Sequence, residues 1–207
     1  MVEYFVNGGP FMWPILILLI AGLGISAERF YSLIMSSTNT KEFFDDVIKS
    51  LDNDGIDNTI DLCNNTPGPV AEIFHAGLSR FHRGLREVEK AVQDAGGLEM
   101  SFLEKNMIWM NAVITIAPML GFTGTVAGMV NAFDAIAAAN DISPAVVAGG
   151  ISQALLTTAF GLIVAMIIQI FQNFFVSMID KLILDMEENS VKFMDQLHLE
   201  YEKLAKS

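Results

Sequence analysis

The spacing of charged residues divides the chain into three long apolar runs separated by polar stretches. The apolar runs cover residues 4–27, 106–133 and 142–179, and none of them contains Asp, Glu, Lys or Arg. Because a helix rises about 1.5 Å per residue, each run is long enough to cross a hydrocarbon core of about 30 Å. The pattern therefore predicts three membrane-spanning helices.

The polar stretches have the periodicity of amphipathic helices. Apolar side chains recur at three- and four-residue intervals between residues 39 and 105 and again beyond residue 180, with charged residues between them. No alternating run typical of a strand occurs, so the sequence predicts an all-α fold. The second and third apolar runs exceed the roughly 20 residues that a span needs, and we expect their helices to extend into a helical bundle outside the membrane.

These patterns predict four segments. Residues 1–38 form the first span and its flanks, 39–105 a cytoplasmic helical segment, 106–180 a hairpin of the second and third spans, and 181–207 a cytoplasmic C-terminal helix.

The positions of the basic residues predict the orientation. All 12 Lys and Arg residues lie between Arg29 and Lys105 or from Lys181 onward. Since Lys and Arg near short loops are retained in the cytoplasm, the N-terminus is expected outside and the C-terminus inside. The net charge of -12 leaves this expectation unchanged, because acidic residues weigh little in the rule, but it argues against a nucleic-acid partner.

Several hydroxyl and amide side chains lie inside the second and third apolar runs. Such groups usually turn toward another helix or a water-filled path, because exposing them to lipid is costly. Successive helix positions are about 100° apart, so Gln153 and Thr157 share one face while Thr158 lies on another. One of these adjacent threonines can then face a lumen, as can Thr125 on the second span. The alternative is a hydroxyl that bonds only to its own helix.

Small residues accompany these polar positions. Gly121, Gly124 and Gly128 lie on the second run and Gly161 on the third. They lie within spans rather than between a strand and a helix, so they do not form a phosphate-binding loop. Small residues at such spacing favour close packing of membrane helices.

The chain carries no recognisable catalytic set. Its three histidines lack partners for a metal site, and Cys63 is the single cysteine, so neither an enzyme activity nor a metal or cofactor is expected. The three apolar runs also lack the titratable group that proton carriers place in mid-membrane, so any ion path needs a carboxylate from another polypeptide. Asp134 is nine residues beyond Thr125, or about 13 Å along a helix, which fits an outer vestibule or simply the membrane interface.

Two stretches carry a family resemblance. Residues 117–129, APMLGFTGTVAGM, resemble the second span of the MotA/TolQ/ExbB proton-channel family, and residues 147–162, VAGGISQALLTTAFGL, resemble its third. The three-span plan is most similar to the ExbB and TolQ branch, since the flagellar stator branch has four spans.

The resemblance implies a channel-forming subunit of an ion-driven motor in the bacterial inner membrane. Five copies would surround two copies of a single-span ExbD-like or TolR-like subunit whose intramembrane Asp carries the ion, with Thr125 and Thr158 facing that Asp. The motor would convert the proton motive force into mechanical work on the cell envelope.

A proton is the expected ion, and sodium is the alternative because Thr157 and Gln153 add oxygen atoms beside Thr158. Family members often carry Glu at the position of Gln153, and an amide neither binds nor releases a proton. A second alternative is a membrane scaffold that conducts no ion, which would not require an acidic single-span partner. A small-solute permease fits poorly, because the spans contain no charged binding site.

Overall fold

The computed structural model describes residues 2–37, 40–53, 55–139 and 144–206, and every regular element within these ranges is helical. The all-α prediction is confirmed. The connection at residues 140–143, where the predicted hairpin turns, lies outside the described residues. The helices are α1 (Val2–Asn7), α2 (Met12–Ser36), α3 (Thr40–Asn53), α4 (Gly55–Asn65), α5 (Pro69–Leu78), α6 (Leu85–Leu103), α7 (Met107–Ala139) and α8 (Pro144–Lys206), with a 3-10 turn at Phe81–Arg83.

Three of the described helices, α2, α7 and α8, are long and apolar enough to cross a membrane. The prediction of three spans is therefore confirmed. With 33 residues in α7 and 63 in α8, both helices exceed the roughly 20 residues that a span requires, as the uninterrupted apolar runs indicated.

The chain forms two compact units, each built from two separate stretches of sequence. Residues 1–29 and 106–174 form the span unit, and residues 30–105 and 175–207 form the helical-bundle unit.

In the helical-bundle unit, aromatic side chains from distant parts of the sequence meet in the core. Phe74 of α5 is fully buried and stacks on Phe193 of α8, with ring centroids 4.1 Å apart, while Phe43 of α3 lies 5.9 Å from Phe74. The apolar stripe of α8 that faces this core contains Ile179, Leu182, Met186, Phe193 and Leu197, all buried. Hydrophobic burial along this stripe therefore stabilises the extension of α8 beyond its span.

The start of the span unit depends on a glycine turn. Gly9 has a φ of +76°, a left-handed conformation that glycine adopts without a steric penalty. The chain then continues through Pro10 into α2, and the ring of Phe5 meets the ring of Trp13 edge-on at 5.3 Å. The turn at residues 8–10, called here the N-terminal turn, therefore holds α1 beside the first turn of α2.

A polar network marks the other end of the span unit. Asn106 precedes α7 with a φ of 66°, which Asn tolerates better than most residues, and its Nδ2 donates to Glu28 Oε2 at 3.2 Å. The Nε and Nη2 atoms of Arg29 donate to the two oxygens of the same carboxylate at 2.9 and 2.8 Å. Since the Arg29 side chain is only 1 % exposed, this bidentate pair compensates the cost of burying its charge.

The helical-bundle unit also buries Cys63, and burial raises the pKa of its thiol from 9.0 to about 12. At neutral pH this lowers the reactive thiolate fraction roughly a thousandfold, so we expect maleimide labelling of the folded protein to be very slow. Labelling should become fast in denaturant, as followed by intact-mass measurement.

The raised pKa of Cys63 also predicts a pH dependence of folding. Because the unfolded thiol ionises at lower pH than the folded one, the free energy of unfolding of the unit should fall as pH rises from about 9 to 12.

The matched control moves the thiol to the surface. A Cys63→Ser/Ser79→Cys variant carries its single thiol at an exposed position of the same unit and should label rapidly without denaturant. Equal labelling rates for the two folded proteins would contradict the burial of Cys63.

Candidate functional site

Helices α7 and α8 approach each other along the small residues that the sequence predicted to pack. A Cβ atom added at Gly121 would lie 3.0 Å from Thr158 Cα, and one added at Gly128 would lie 3.1 Å from Ala154 Cβ. A Cβ atom at Gly161 would lie 2.5 Å from the carbonyl oxygen of Ala117. A side chain at any of these positions would collide with backbone atoms or with a short, rigid side chain of the other helix. The close approach of α7 and α8 therefore depends on glycine.

This approach brings Thr125 of α7 and Thr158 of α8 together. Their hydroxyl oxygens are hydrogen-bonded to each other, and Thr158 Oγ1 also donates to Gly121 O at 3.0 Å. Thr125 Oγ1 lies 3.2 Å from Gly121 O and 3.4 Å from Ala154 O. The hydroxyl groups of Thr125 and Thr158 are called here the hydroxyl pair. Each hydroxyl carries one proton, so the hydroxyl pair has fewer protons than acceptor oxygens within reach.

The hydroxyl pair lies at the edge of the α7–α8 contact rather than deep inside it. Both threonines are half-buried, and the charged residues of the described span unit, Glu3, Glu28, Arg29 and Asp134, lie outside the apolar runs that carry the pair. A carboxylate at this depth must therefore come from another chain. This arrangement can hydrogen-bond an anionic oxygen or an ordered water molecule.

Thr157, the residue before Thr158, points elsewhere. Its side chain is 0 % exposed, and its hydroxyl lies 2.7 Å from Gln153 O and 3.2 Å from Gly8 O. Its methyl group fills the space beside Gly124, where an added Cβ would lie 2.5 Å from Thr157 Cγ2. Thr157 thus connects α7, α8 and the N-terminal turn.

Gln153 belongs to the same contact. It is half-buried, and its side-chain amide lies against Gly9, leaving no room there for a Cβ atom. The structure therefore divides the four predicted ion-path residues into two pairs. Thr125 and Thr158 contact each other, whereas Thr157 and Gln153 contact the N-terminal turn.

Asp134 lies apart from both pairs. Its side chain is exposed on α7, and the buried Ala132 occupies the face of the helix that packs on α8, beside Gly150. The N-terminal turn was absent from the sequence-based set of site residues. The signal was present in the sequence as the consecutive glycines before Pro10, but nothing local indicated which helix they would contact.

A sequence profile of the MotA/TolQ/ExbB proton channel family matches residues 65–188. This match covers more than half of the chain and includes both threonines of the hydroxyl pair.

Individual relatives extend the similarity toward the N-terminus. A protein of Methanothermobacter thermautotrophicus described as a biopolymer transport ExbB homolog is 31 % identical over 180 residues, which cover 86 % of this chain and 64 % of that protein. An ExbB-like protein of Synechocystis is 27 % identical over 173 residues, covering 83 % and 82 % of the two chains. The Tol-Pal system protein TolQ of Pseudomonas aeruginosa is 34 % identical over 108 residues, covering 46 % of each. The chain thus spans less than two thirds of the first relative and about half of TolQ.

Proposed function

Because the chain belongs to the MotA/TolQ/ExbB proton channel family, we propose that it is the channel-forming subunit of an ExbB/TolQ-type ion-driven motor. The motor converts the proton motive force across the bacterial inner membrane into mechanical work on the cell envelope. The observation that carries this proposal is the half-buried Thr125–Thr158 hydroxyl pair, which lies at the contact of two spans without a carboxylate of its own.

The partner supplies the carboxylate. An ionised Asp in mid-membrane is costly unless hydrogen-bond donors stabilise its charge, and the hydroxyl pair offers such donors. We therefore assign to the partner the chemistry of an ExbD/TolR-like single-span subunit with an intramembrane Asp. Five copies of the present chain surround two partner helices. The N-terminus faces outward and the helical-bundle unit lies in the cytoplasm, as the distribution of Lys and Arg favours.

The proposed ion is the proton. A sodium ion needs several oxygen ligands, but Thr157 and Gln153 are engaged with the N-terminal turn rather than with the hydroxyl pair. Two hydroxyl groups alone form a poor cation site, whereas they suffice to hydrate or hydrogen-bond a carboxylate that gains and loses a proton.

Reconstitution with the partner tests the proposal. The chain and a single-span protein carrying an intramembrane Asp are placed together in proteoliposomes, and proton uptake driven by a fixed membrane potential is followed with a trapped pH dye. We expect uptake only when both subunits are present, and none when the partner Asp is replaced by Asn. The rate should stay the same when Na⁺ is replaced by K⁺ at constant pH.

The alternatives give different results. A membrane scaffold without ion conduction would give no uptake with either partner variant. A sodium motor would give no proton uptake, but it would take up Na⁺ in the presence of the partner Asp, and a Thr157→Ala variant would then weaken that Na⁺ uptake.

A further inference from the structure

The helical-bundle unit contains a basic cavity that the ion path does not use. The cavity has a volume of about 440 Å³, within the range of small-molecule sites, and Lys41, Lys181 and Lys192 line it. Lys181 and Lys192 are eleven residues apart, close to three full turns, so they project from the same face of α8. Lys41, the second residue of α3, faces them. Three of the 12 basic residues of an acidic chain thus meet in one place.

The positive charge of this cavity is only partly neutralised. Lys192 Nζ lies 2.6 Å from Glu188 Oε1 and forms an ion pair with it. Asp185 contributes the second carboxylate of the lining, while neither Lys41 nor Lys181 takes part in an ion pair with any of the described residues. Lys41 also attracts the Glu188 carboxylate without forming an ion pair with it. Three ammonium groups thus face two carboxylates in the lining, which leaves a net positive charge.

Neutral donors complete the lining. Ser37 contributes a hydroxyl to the lining, and Asn189 contributes a buried side chain whose Nδ2 donates to Asp185 O at 2.7 Å. Ammonium and hydroxyl groups around a pocket of this size are typical of a site for a phosphate oxygen.

The lining of the cavity comes directly after the ends of two long apolar segments. Tyr31, Ile34 and Met35, at the end of α2, are large apolar side chains that are 69 %, 49 % and 56 % exposed. Ser37 follows directly and lines the cavity. On α8, the long uncharged run ends at residue 179, and Lys181 is the first basic residue after it. In a membrane protein, basic residues that directly follow a long apolar run are expected at the depth of the lipid headgroups.

We propose that this cavity binds the phosphate group of an anion, with Lys41 and Lys181 as its cationic ligands. An anionic phospholipid is the favoured source, because Lys181 directly follows the apolar run of α8 and because Met178 and Leu182 line the cavity beside the lysines. The proposal does not depend on ion conduction, so each of the two proposals can fail without the other.

Native mass spectrometry of the full chain released from mixed phosphatidylcholine and phosphatidylglycerol bilayers measures which lipid is retained. Wild type should retain phosphatidylglycerol preferentially. One lysine near an anionic surface contributes about 1 kcal/mol, so Lys41→Gln and Lys181→Gln should each weaken retention about fivefold, and the double variant about twenty-five-fold. Lys49→Gln is the charge-matched control, because Lys49 lies outside the cavity and pairs with Asp46 at 3.3 Å.

Two further measurements separate the outcomes. Asp185→Asn removes the opposing carboxylate and should strengthen retention, which a merely misfolded variant would not do. The second measurement tests whether the ligand is a soluble phosphate. Glycerol phosphate or inorganic phosphate is titrated into lipid-free protein in detergent. Binding that depends on Lys41 and Lys181 would support the site and assign it to free phosphate. Equal retention by the Lys49, Lys41 and Lys181 variants, or weaker retention in the Asp185 variant, would overturn the proposal.

Discussion

Proton uptake by the reconstituted complex is expected to fall roughly tenfold to a hundredfold when Thr158 is replaced by valine, since a hydrogen bond to a charged group contributes about 1.5–3 kcal/mol. Valine keeps the shape of threonine but removes the hydroxyl that donates to Gly121 O and bonds to Thr125 Oγ1. The partner carboxylate then loses a donor at the contact of the two spans. Thr125→Val removes the other member of the hydroxyl pair and should have a similar effect.

The matched control lies on the same helix. Thr123 is exposed, and its Oγ1 donates to Met119 O of α7 at 2.8 Å without reaching α8. Thr123→Val therefore removes a hydroxyl that only bonds its own helix, and uptake should stay near the wild-type rate. Each variant is first compared with wild type for assembly by native mass spectrometry. Wild-type uptake in fully assembled Thr125→Val and Thr158→Val proteins would remove the hydroxyl pair from the proposed path.

Replacing Gly161 by alanine is expected to destabilise the span unit by about 1–3 kcal/mol, the usual cost of overpacking a close contact. The new methyl group would lie 2.5 Å from the carbonyl oxygen of Ala117 and 3.2 Å from Gly121 Cα, and both atoms belong to the backbone of α7. Since no side chain can move aside, α7 and α8 must separate. The hydroxyl pair lies at the same contact, so uptake should fall as well.

Gly149 provides the control for this substitution. It lies on α8, and a Cβ atom there meets nothing within 4 Å. Gly149→Ala should therefore be neutral or slightly stabilising, because alanine favours a helix over glycine by up to about 1 kcal/mol. Thermal unfolding in mild detergent and the assembled fraction in native mass spectrometry compare the two variants. Identical midpoints for Gly161→Ala and wild type would contradict the close approach.

Much of the fold followed from the sequence because one physical effect dominates it. Charged residues are excluded from the hydrocarbon core, so three uncharged runs predict three spans. The apolar stripe of α8 was equally predictable, because apolar residues at three- and four-residue intervals lie on one face of a single helix. The different orientations of Thr157 and Thr158 also followed from helix geometry, because adjacent positions are about 100° apart.

The contacts of the site were less predictable, because they join residues far apart in the sequence. Nothing near Thr157 indicates that the carbonyl of Gly8 lies 3.2 Å from its hydroxyl. Helix periodicity places Gln153 on the face of Thr157, but it cannot say whether that face meets a lumen or the N-terminal turn. The burial of Arg29 was missed for a similar reason, since a basic residue after an apolar run is normally exposed at the interface.

The shortage of protons in the hydroxyl pair determines how its two threonines can share their donors. Thr125 can donate to Thr158 while Thr158 donates to Gly121 O, or Thr158 can donate to Thr125 while Thr125 donates to Ala154 O. These two arrangements differ only in the rotation of two hydroxyl hydrogens, with no movement of a heavy atom. Either threonine of the hydroxyl pair can therefore be the donor to the other. Under the proposed function, a hydroxyl that turns toward the partner carboxylate leaves one of these internal acceptors, and this exchange needs only bond rotation rather than a movement of α7 or α8.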